Sequence, residues 1–69
     1  MGLDQFTGRR ILKFITDFKI KTGELPTYQN LEENGFDTDT IKQAIKDELI
    51  EELFVTLTNG TIVKGFRVR

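Results

Sequence analysis

Apolar residues recur at helical spacing in the first third of the chain. Ile11, Phe14, Ile15 and Phe18 stand at i, i+3, i+4 and i+7, so they share one face of a helix. Gly23 follows the last turn and can adopt the positive φ that ends a helix without a Cβ clash. The pattern predicts a first helix over about residues 8–22.

Two further helical segments follow. Pro26 favours an extended residue before it, and Thr27 is a good N-cap residue, which predicts a second helix over residues 27–34 that ends at Gly35. Residues 37–40 are all good N-cap types, and Thr40 has the capping-box spacing to Gln43. A third helix is therefore predicted over residues 38–51. Its expected inward side chains are Ile41, Ala44, Ile45 and Leu49.

The end of the chain alternates between apolar and polar residues on both sides of Asn59-Gly60. That dipeptide is the strongest two-residue turn signal for a hairpin. We predict a hairpin over residues 53–68 with its turn at residues 59–60, so that Leu53 faces Phe66 and Val55 faces Lys64. The hairpin face expected to close the core is Leu53, Val55, Leu57, Ile62, Phe66 and Val68.

The composition limits how the fold can be stabilised. The 69 residues suffice for one domain, over residues 1–69, near the lower limit for a self-supporting core. There is no cysteine and no histidine, so disulfides and the usual zinc sites are excluded and no metal or cofactor is expected. We expect Tyr28 and the six phenylalanines to lie in the core of an α+β fold.

Charge is unevenly distributed although the formal net charge is only −1. Residues 1–23 carry five basic and two acidic side chains, residues 24–54 carry two basic and nine acidic ones, and residues 55–69 carry three basic ones. No stretch approaches the roughly 20 apolar residues that span a bilayer, and the start lacks a signal-peptide pattern. We therefore expect a soluble, cytoplasmic protein without a membrane partner.

Several short runs carry a resemblance to a known family. They are Ile11-Leu12-Lys13-Phe14-Ile15, Thr22-Gly23-Glu24-Leu25-Pro26-Thr27, Leu31, Gly35-Phe36 and Thr40-Ile41. Together with the order of the elements, they resemble the DNA-binding domain of LexA-type repressors over residues 9–68, although many winged-helix regulators share such motifs. The resemblance implies a winged helix-turn-helix, a three-helix bundle with a β-hairpin wing. It departs at Glu48 and Glu52, where that family has an apolar residue and a glycine.

The resemblance also implies that the third helix enters the major groove of double-stranded DNA and that the wing lies near the phosphates. Outward positions on that helix are Thr38, Asp39, Lys42, Gln43 and Lys46. Gln43 has the amide that pairs with adenine, and both lysines can reach guanine or phosphate. The wing residues of interest are Asn59, Lys64, Arg67 and Arg69. The alternative is that both sets are solvated surface, with the wing cations balancing the acidic middle and shielding an edge strand.

Ile50 and Phe54 allow a second possible function, the binding of a protein partner. If the third helix ends early, both belong to the core; otherwise they form an apolar patch that docks a protein partner or a second copy. No catalytic residue is predicted, because histidine, cysteine and a Gly-rich phosphate loop are all missing. The sequence thus predicts a small transcriptional regulator that binds DNA, as a dimer given its few basic residues. The alternative is a protein-interaction winged helix, as in an accessory protein of a phage or plasmid.

Overall fold

The computed structural model describes residues 3–69; Met1 and Gly2 of the predicted domain lie outside them. The elements are α1 (Gln5–Thr22), α2 (Tyr28–Glu33), α3 (Thr38–Lys46), β1 (Ile50–Thr56) and β2 (Ile62–Val68). β1 and β2 form a two-stranded antiparallel sheet. The predicted α+β fold class, three helices and then a C-terminal hairpin, is confirmed, and its shape is compatible with a winged helix.

α1 begins three residues earlier than its apolar periodicity predicts. The carboxylate of Asp4 accepts a hydrogen bond from the backbone N–H of Thr7 at 2.7 Å, which caps the helix at its first turn. The helix ends where predicted, since Gly23 has a φ of 77° and its N–H donates to the carbonyl of Lys19 at 2.8 Å. α1 is thus longer than predicted, because the Asp4 cap sets its first residue, whereas the prediction relied on the first apolar residues of the helical pattern.

α2 is a short helix with a reciprocal cap. The hydroxyl of Thr27 accepts from the backbone N–H of Asn30, and the Asn30 side chain accepts from the backbone N–H of Thr27 at 2.9 Å. The predicted N-cap at Thr27 is therefore confirmed. These bonds satisfy two backbone donors that the helix itself leaves without partners.

α3 ends at Lys46, five residues before the predicted end. Glu48 has a φ of 62°, and its N–H donates to the carbonyl of Ile45 while the N–H of Leu49 donates to that of Ala44, both at 3.0 Å. This pair of bonds is a Schellman termination, which usually has glycine at the left-handed position. Because position 48 is a glutamate and not a glycine, the sequence does not mark this end, and the apolar spacing predicts a helix that continues past Lys46.

The hairpin register differs by one residue from the prediction. Leu53 faces Gly65 and Val55 faces Val63, whereas Phe66 and Lys64 were the expected partners. Leu57 pairs with Thr61, so Thr58 joins Asn59 and Gly60 in a three-residue loop. Gly60 has a φ of 88°, and its N–H donates to the carbonyl of Leu57 at 2.9 Å. Three-residue loops of this kind need a glycine in the left-handed region.

A one-residue slip moves the two strands' apolar sets to opposite faces. Leu53, Val55 and Leu57 are half-buried on one face, whereas Ile62, Phe66 and Val68 lie on the other. Of the latter three, only Phe66 is buried; Ile62 is 65% exposed and Val68 39% exposed. The predicted single apolar face of the hairpin is therefore wrong.

The core lies where the helices meet the base of the hairpin. Its buried apolar side chains are Ile11, Ile15, Leu31, Phe36, Ile41, Ala44, Ile50 and Phe66. The ring of Phe66 meets that of Tyr28 edge to face, with centroids 4.8 Å apart. Phe6 was expected in the core but is 81% exposed, because it lies on the outer side of the first turn of α1.

Candidate nucleic-acid interface

α3 begins with a strong cap that orients its first turn. The carboxylate of Asp37 accepts from the backbone N–H of Thr40 at 2.8 Å. The predicted capping box between Thr40 and Gln43 does not form, because Asp37 occupies the capping position three residues earlier. Asp37 thus places the start of α3 at Thr38, as predicted.

The buried residues of α3 determine which of its side chains face outward. Ile41 and Ala44 are fully buried, and the outward positions Thr38, Asp39, Lys42 and Lys46 are exposed. Gln43 is half-buried, and its Nε2 donates to Oδ1 of Asp47 at 2.8 Å. This bond orients the Gln43 side chain and uses one of the two donor hydrogens of its amide nitrogen. We call Thr38, Asp39, Lys42, Gln43 and Lys46 the α3 outer face.

The α3 outer face carries two cations, Lys42 and Lys46. Neither Lys42 nor Lys46 forms an ion pair within residues 3–69. Asp39, in the first turn of the same helix, is the acidic member of the outer face. The lysines lie one turn apart and are available to an external anion such as a phosphate.

The cations of the hairpin, Lys64, Arg67 and Arg69, are each paired with a glutamate. Nζ of Lys64 lies 3.4 Å from Oε1 of Glu52, and Nη1 of Arg69 lies 3.8 Å from Oε1 of Glu48. Nε of Arg67 donates to Oε1 of Glu51, directly across the sheet.

These three pairs change what the hairpin can offer to DNA. All are solvent-exposed, so each stabilises the fold by less than about 1 kcal/mol and can be exchanged for another anion. A phosphate that approached would nevertheless meet the paired carboxylate as well as the cation. The sequence predicted that the wing cations could balance the acidic middle of the chain, but which glutamate meets which cation follows from the hairpin register.

Asn59 lies at the tip of the hairpin. Its Oδ1 accepts from the backbone N–H of Thr61 at 2.9 Å, a bond that holds the turn. Asn59 thus has a structural role that accounts for its presence without a ligand.

Ile50 and Phe54 do not form a common patch. Ile50 has no exposed surface, whereas Phe54 is 74% exposed. Of the two alternatives, the core position is correct for Ile50, because the early end of α3 makes it the first residue of β1, packed in the core. The core position is wrong for Phe54. Ile62 was predicted to lie in the core but is exposed, on the same sheet face as Phe54.

Hydrogen bonds to the carboxylates of three aspartates lower their pKa values. The pKa of Asp4 is lowered by the N–H and hydroxyl of Thr7, and that of Asp37 chiefly by the N–H of Thr40. The pKa of Asp47 is lowered by the N–H of Leu3 and then by Gln43. These carboxylates tie the two helix starts and the chain before α1 to the rest of the fold.

We expect stability to fall when the solution is acidified below the ordinary aspartate pKa of 3.8. A carboxyl group with a lowered folded-state pKa stabilises the fold above its unfolded-state pKa, and this contribution is lost as pH falls through the folded value. Urea unfolding at about pH 6, 4 and 2.5 measures the loss. Asparagine also caps helices. The variant with Asp4→Asn and Asp37→Asn should therefore lose less stability on acidification, and an identical pH profile would contradict this account.

In comparisons with known proteins, no family model, curated protein or solved structure matches the chain. Within residues 3–69, no helix has the length and apolar character needed to cross a membrane. The same residues contain no cluster of acidic side chains arranged to hold a metal ion. The geometry of α3 and the hairpin is therefore what indicates a function.

Proposed function

We propose that this chain is a winged helix-turn-helix protein that binds double-stranded DNA through α3, as a small transcriptional regulator. The observation that carries the proposal is the α3 outer face, on which Lys42 and Lys46 lack ion-pair partners within residues 3–69. Burial of Ile41 and Ala44 presents these lysines on a helix of nine residues that is capped at its start. A major groove admits such a helix.

The hairpin contributes less than the resemblance implies, because its cations are already paired with Glu48, Glu51 and Glu52. Binding therefore depends on about two phosphate contacts, made by the lysines of α3. Each phosphate neutralised on duplex DNA adds about −0.9 to the slope of log affinity against log salt. We expect a slope near −2, and thus weak binding at physiological salt.

A titration of isotopically labelled protein with random-sequence duplex DNA tests the proposal. At low salt, we expect amide shifts confined to Thr38–Lys46 and to the hairpin, and these should fade as salt is added. Lys46→Glu should weaken binding by about tenfold or more, since it replaces a phosphate attraction with a repulsion.

Lys21→Glu is the matched control, because it makes the same charge change at an exposed position in the last turn of α1. Its affinity should stay within about twofold of the parent at a fixed salt concentration. Equal losses in the two variants would show that binding follows net charge and not the α3 outer face. The absence of any shift at low salt would end the DNA proposal.

A protein-interaction winged helix without DNA binding is the second candidate. It is favoured by the pairing of every hairpin cation within residues 3–69 with a glutamate, which leaves the wing without a net attraction for phosphate. This candidate predicts no DNA-induced shift at any salt concentration, together with salt-tolerant association with a protein.

A further inference from the structure

The outer edge of β1 has free main-chain groups. The bond from Leu57 to Thr61 at 2.8 Å shows that odd-numbered residues of β1 direct their N–H and C=O groups toward β2. Glu52, Phe54 and Thr56 therefore direct theirs away from the hairpin. Within residues 3–69, no main-chain hydrogen bond engages these outward groups.

The outer edge of β2 is covered at the equivalent place. The N–H of Phe66 donates to the carbonyl of Pro26 at 3.0 Å, and Thr27 forms an isolated bridge with Gly65. The segment before α2 thus serves as a short third strand beside β2. Within residues 3–69, the outer edge of β1 is therefore the longer uncovered edge of the hairpin.

The open edge coincides with exposed apolar side chains. Phe54 is 74% exposed and Ile62 is 65% exposed, and both project from the same sheet face. Phe54 is opposite Lys64, and Ile62 is opposite Thr56, so the two apolar side chains are diagonal neighbours. Exposed edges of natural sheets are usually protected by charge or covered, and an apolar open edge is typical of a pairing surface.

The charges around Phe54 balance each other. Glu52 and Lys64 flank it on the same face and lie 3.4 Å apart, so that this surface has no net charge. A strongly basic or acidic partner gains no general attraction here, and the carboxylate of Glu52 disfavours DNA phosphate. A second copy of the same chain presents the same balanced surface in return.

We propose that two copies of this chain pair through the outer edges of β1, in antiparallel orientation, to form a four-stranded sheet. Because Ile50 is fully buried, the usable edge comprises residues 52–56, and its centre is Phe54. A two-fold axis at Phe54 sets this residue opposite Phe54 of the second copy.

This register satisfies the requirements of an antiparallel pair. Glu52 lies opposite Thr56 of the second copy, so no like charges face each other directly. Even-numbered residues of both strands direct their main-chain groups into the new ladder, which supplies N–H and C=O partners on both sides. The same patch meets itself across the axis, as a two-fold interface requires.

The shared edge is small, and the dimer is consequently weak and concentration-dependent. The proposal does not rest on DNA binding, because the pairing surface excludes α3. Sedimentation velocity without DNA therefore tests it independently, over a concentration series from about 10 μM to 1 mM of the full chain.

Three variants locate the surface. Phe54→Asp should weaken dimerisation by about tenfold or more, because it sets two carboxylates opposite each other on the axis. Thr56→Pro should do the same, since it removes an outward N–H without removing a bond to β2. Phe6→Asp is the matched control, an exposed phenylalanine on α1 that should leave dimerisation unchanged.

Amide hydrogen exchange gives a second readout on the unmodified chain. We expect the amides of Phe54 and Thr56 to become protected as concentration rises, while those of Val55 and Leu57 are protected throughout. A chain that stays monomeric over the whole series overturns the proposal. So does a dimer that survives Phe54→Asp or is lost equally in Phe6→Asp.

Discussion

Ile50→Asp is expected to unfold the chain at room temperature. Ile50 has no exposed surface and belongs to the same buried cluster as Ile41 and Phe66. A carboxylate at this position would be buried without a charged partner, which costs several kcal/mol. The whole fold of a chain this small is stable by only about 3–10 kcal/mol, so this single cost removes most or all of it.

Ile62→Asp provides the control for that experiment. It makes the same substitution in the same hairpin, at a side chain that is 65% exposed. We expect it to change the free energy of unfolding by less than about 0.5 kcal/mol at low protein concentration. Far-ultraviolet circular dichroism and urea titration distinguish the two variants, and a folded Ile50→Asp variant would show that β1 does not begin in the core.

Phe66→Ala is the second substitution with a large expected effect. The Phe66 ring is fully buried, meets Tyr28 at a centroid distance of 4.8 Å, and comes from the strand that closes the core. Truncation of a buried phenylalanine to alanine costs about 3–5 kcal/mol. In a chain of this size, each kcal/mol lowers the Tm by about 4–8 °C, so the variant should be largely unfolded at 37 °C.

Phe54→Ala isolates the effect of burial from that of residue type. Phe54 lies on the same sheet face as Phe66 but is 74% exposed. Its truncation should change stability by less than about 0.5 kcal/mol. Thermal unfolding at a concentration low enough to keep both variants monomeric measures the difference. Equal losses would mean that Phe54 is buried as fully as Phe66, which contradicts the observed exposure of its side chain.

The helices were the most predictable part of this fold. Apolar spacing located the inward faces of α1 and α3, and Gly23 and Thr27 marked two boundaries correctly. The errors lie at ends that depend on capping. Asp4 extends α1, and Glu48 ends α3 in a conformation for which the sequence shows no glycine.

The candidate interface was predictable on α3 and not on the hairpin. Once Ile41 and Ala44 are assigned to the buried side of α3, helical periodicity alone predicts that Lys42 and Lys46 lie on its exposed side. The pairing register of the hairpin depends on the conformation of a single loop residue. With Gly60 in the left-handed region, the turn is one residue longer than predicted, and this slip places Ile62 in solvent and brings Glu51 opposite Arg67.

The sequence by itself determined the order of the elements, the helical faces and the α+β class, because these follow from periodicity and from residues close together in the chain. The tertiary structure decided whether Ile50 is core or surface, which glutamate neutralises each hairpin cation, and which sheet edge stays open. Each of these depends on which residues become neighbours across the sheet. Such neighbours are set by the Glu48 and Gly60 conformations and by packing of the segment before α2 against β2.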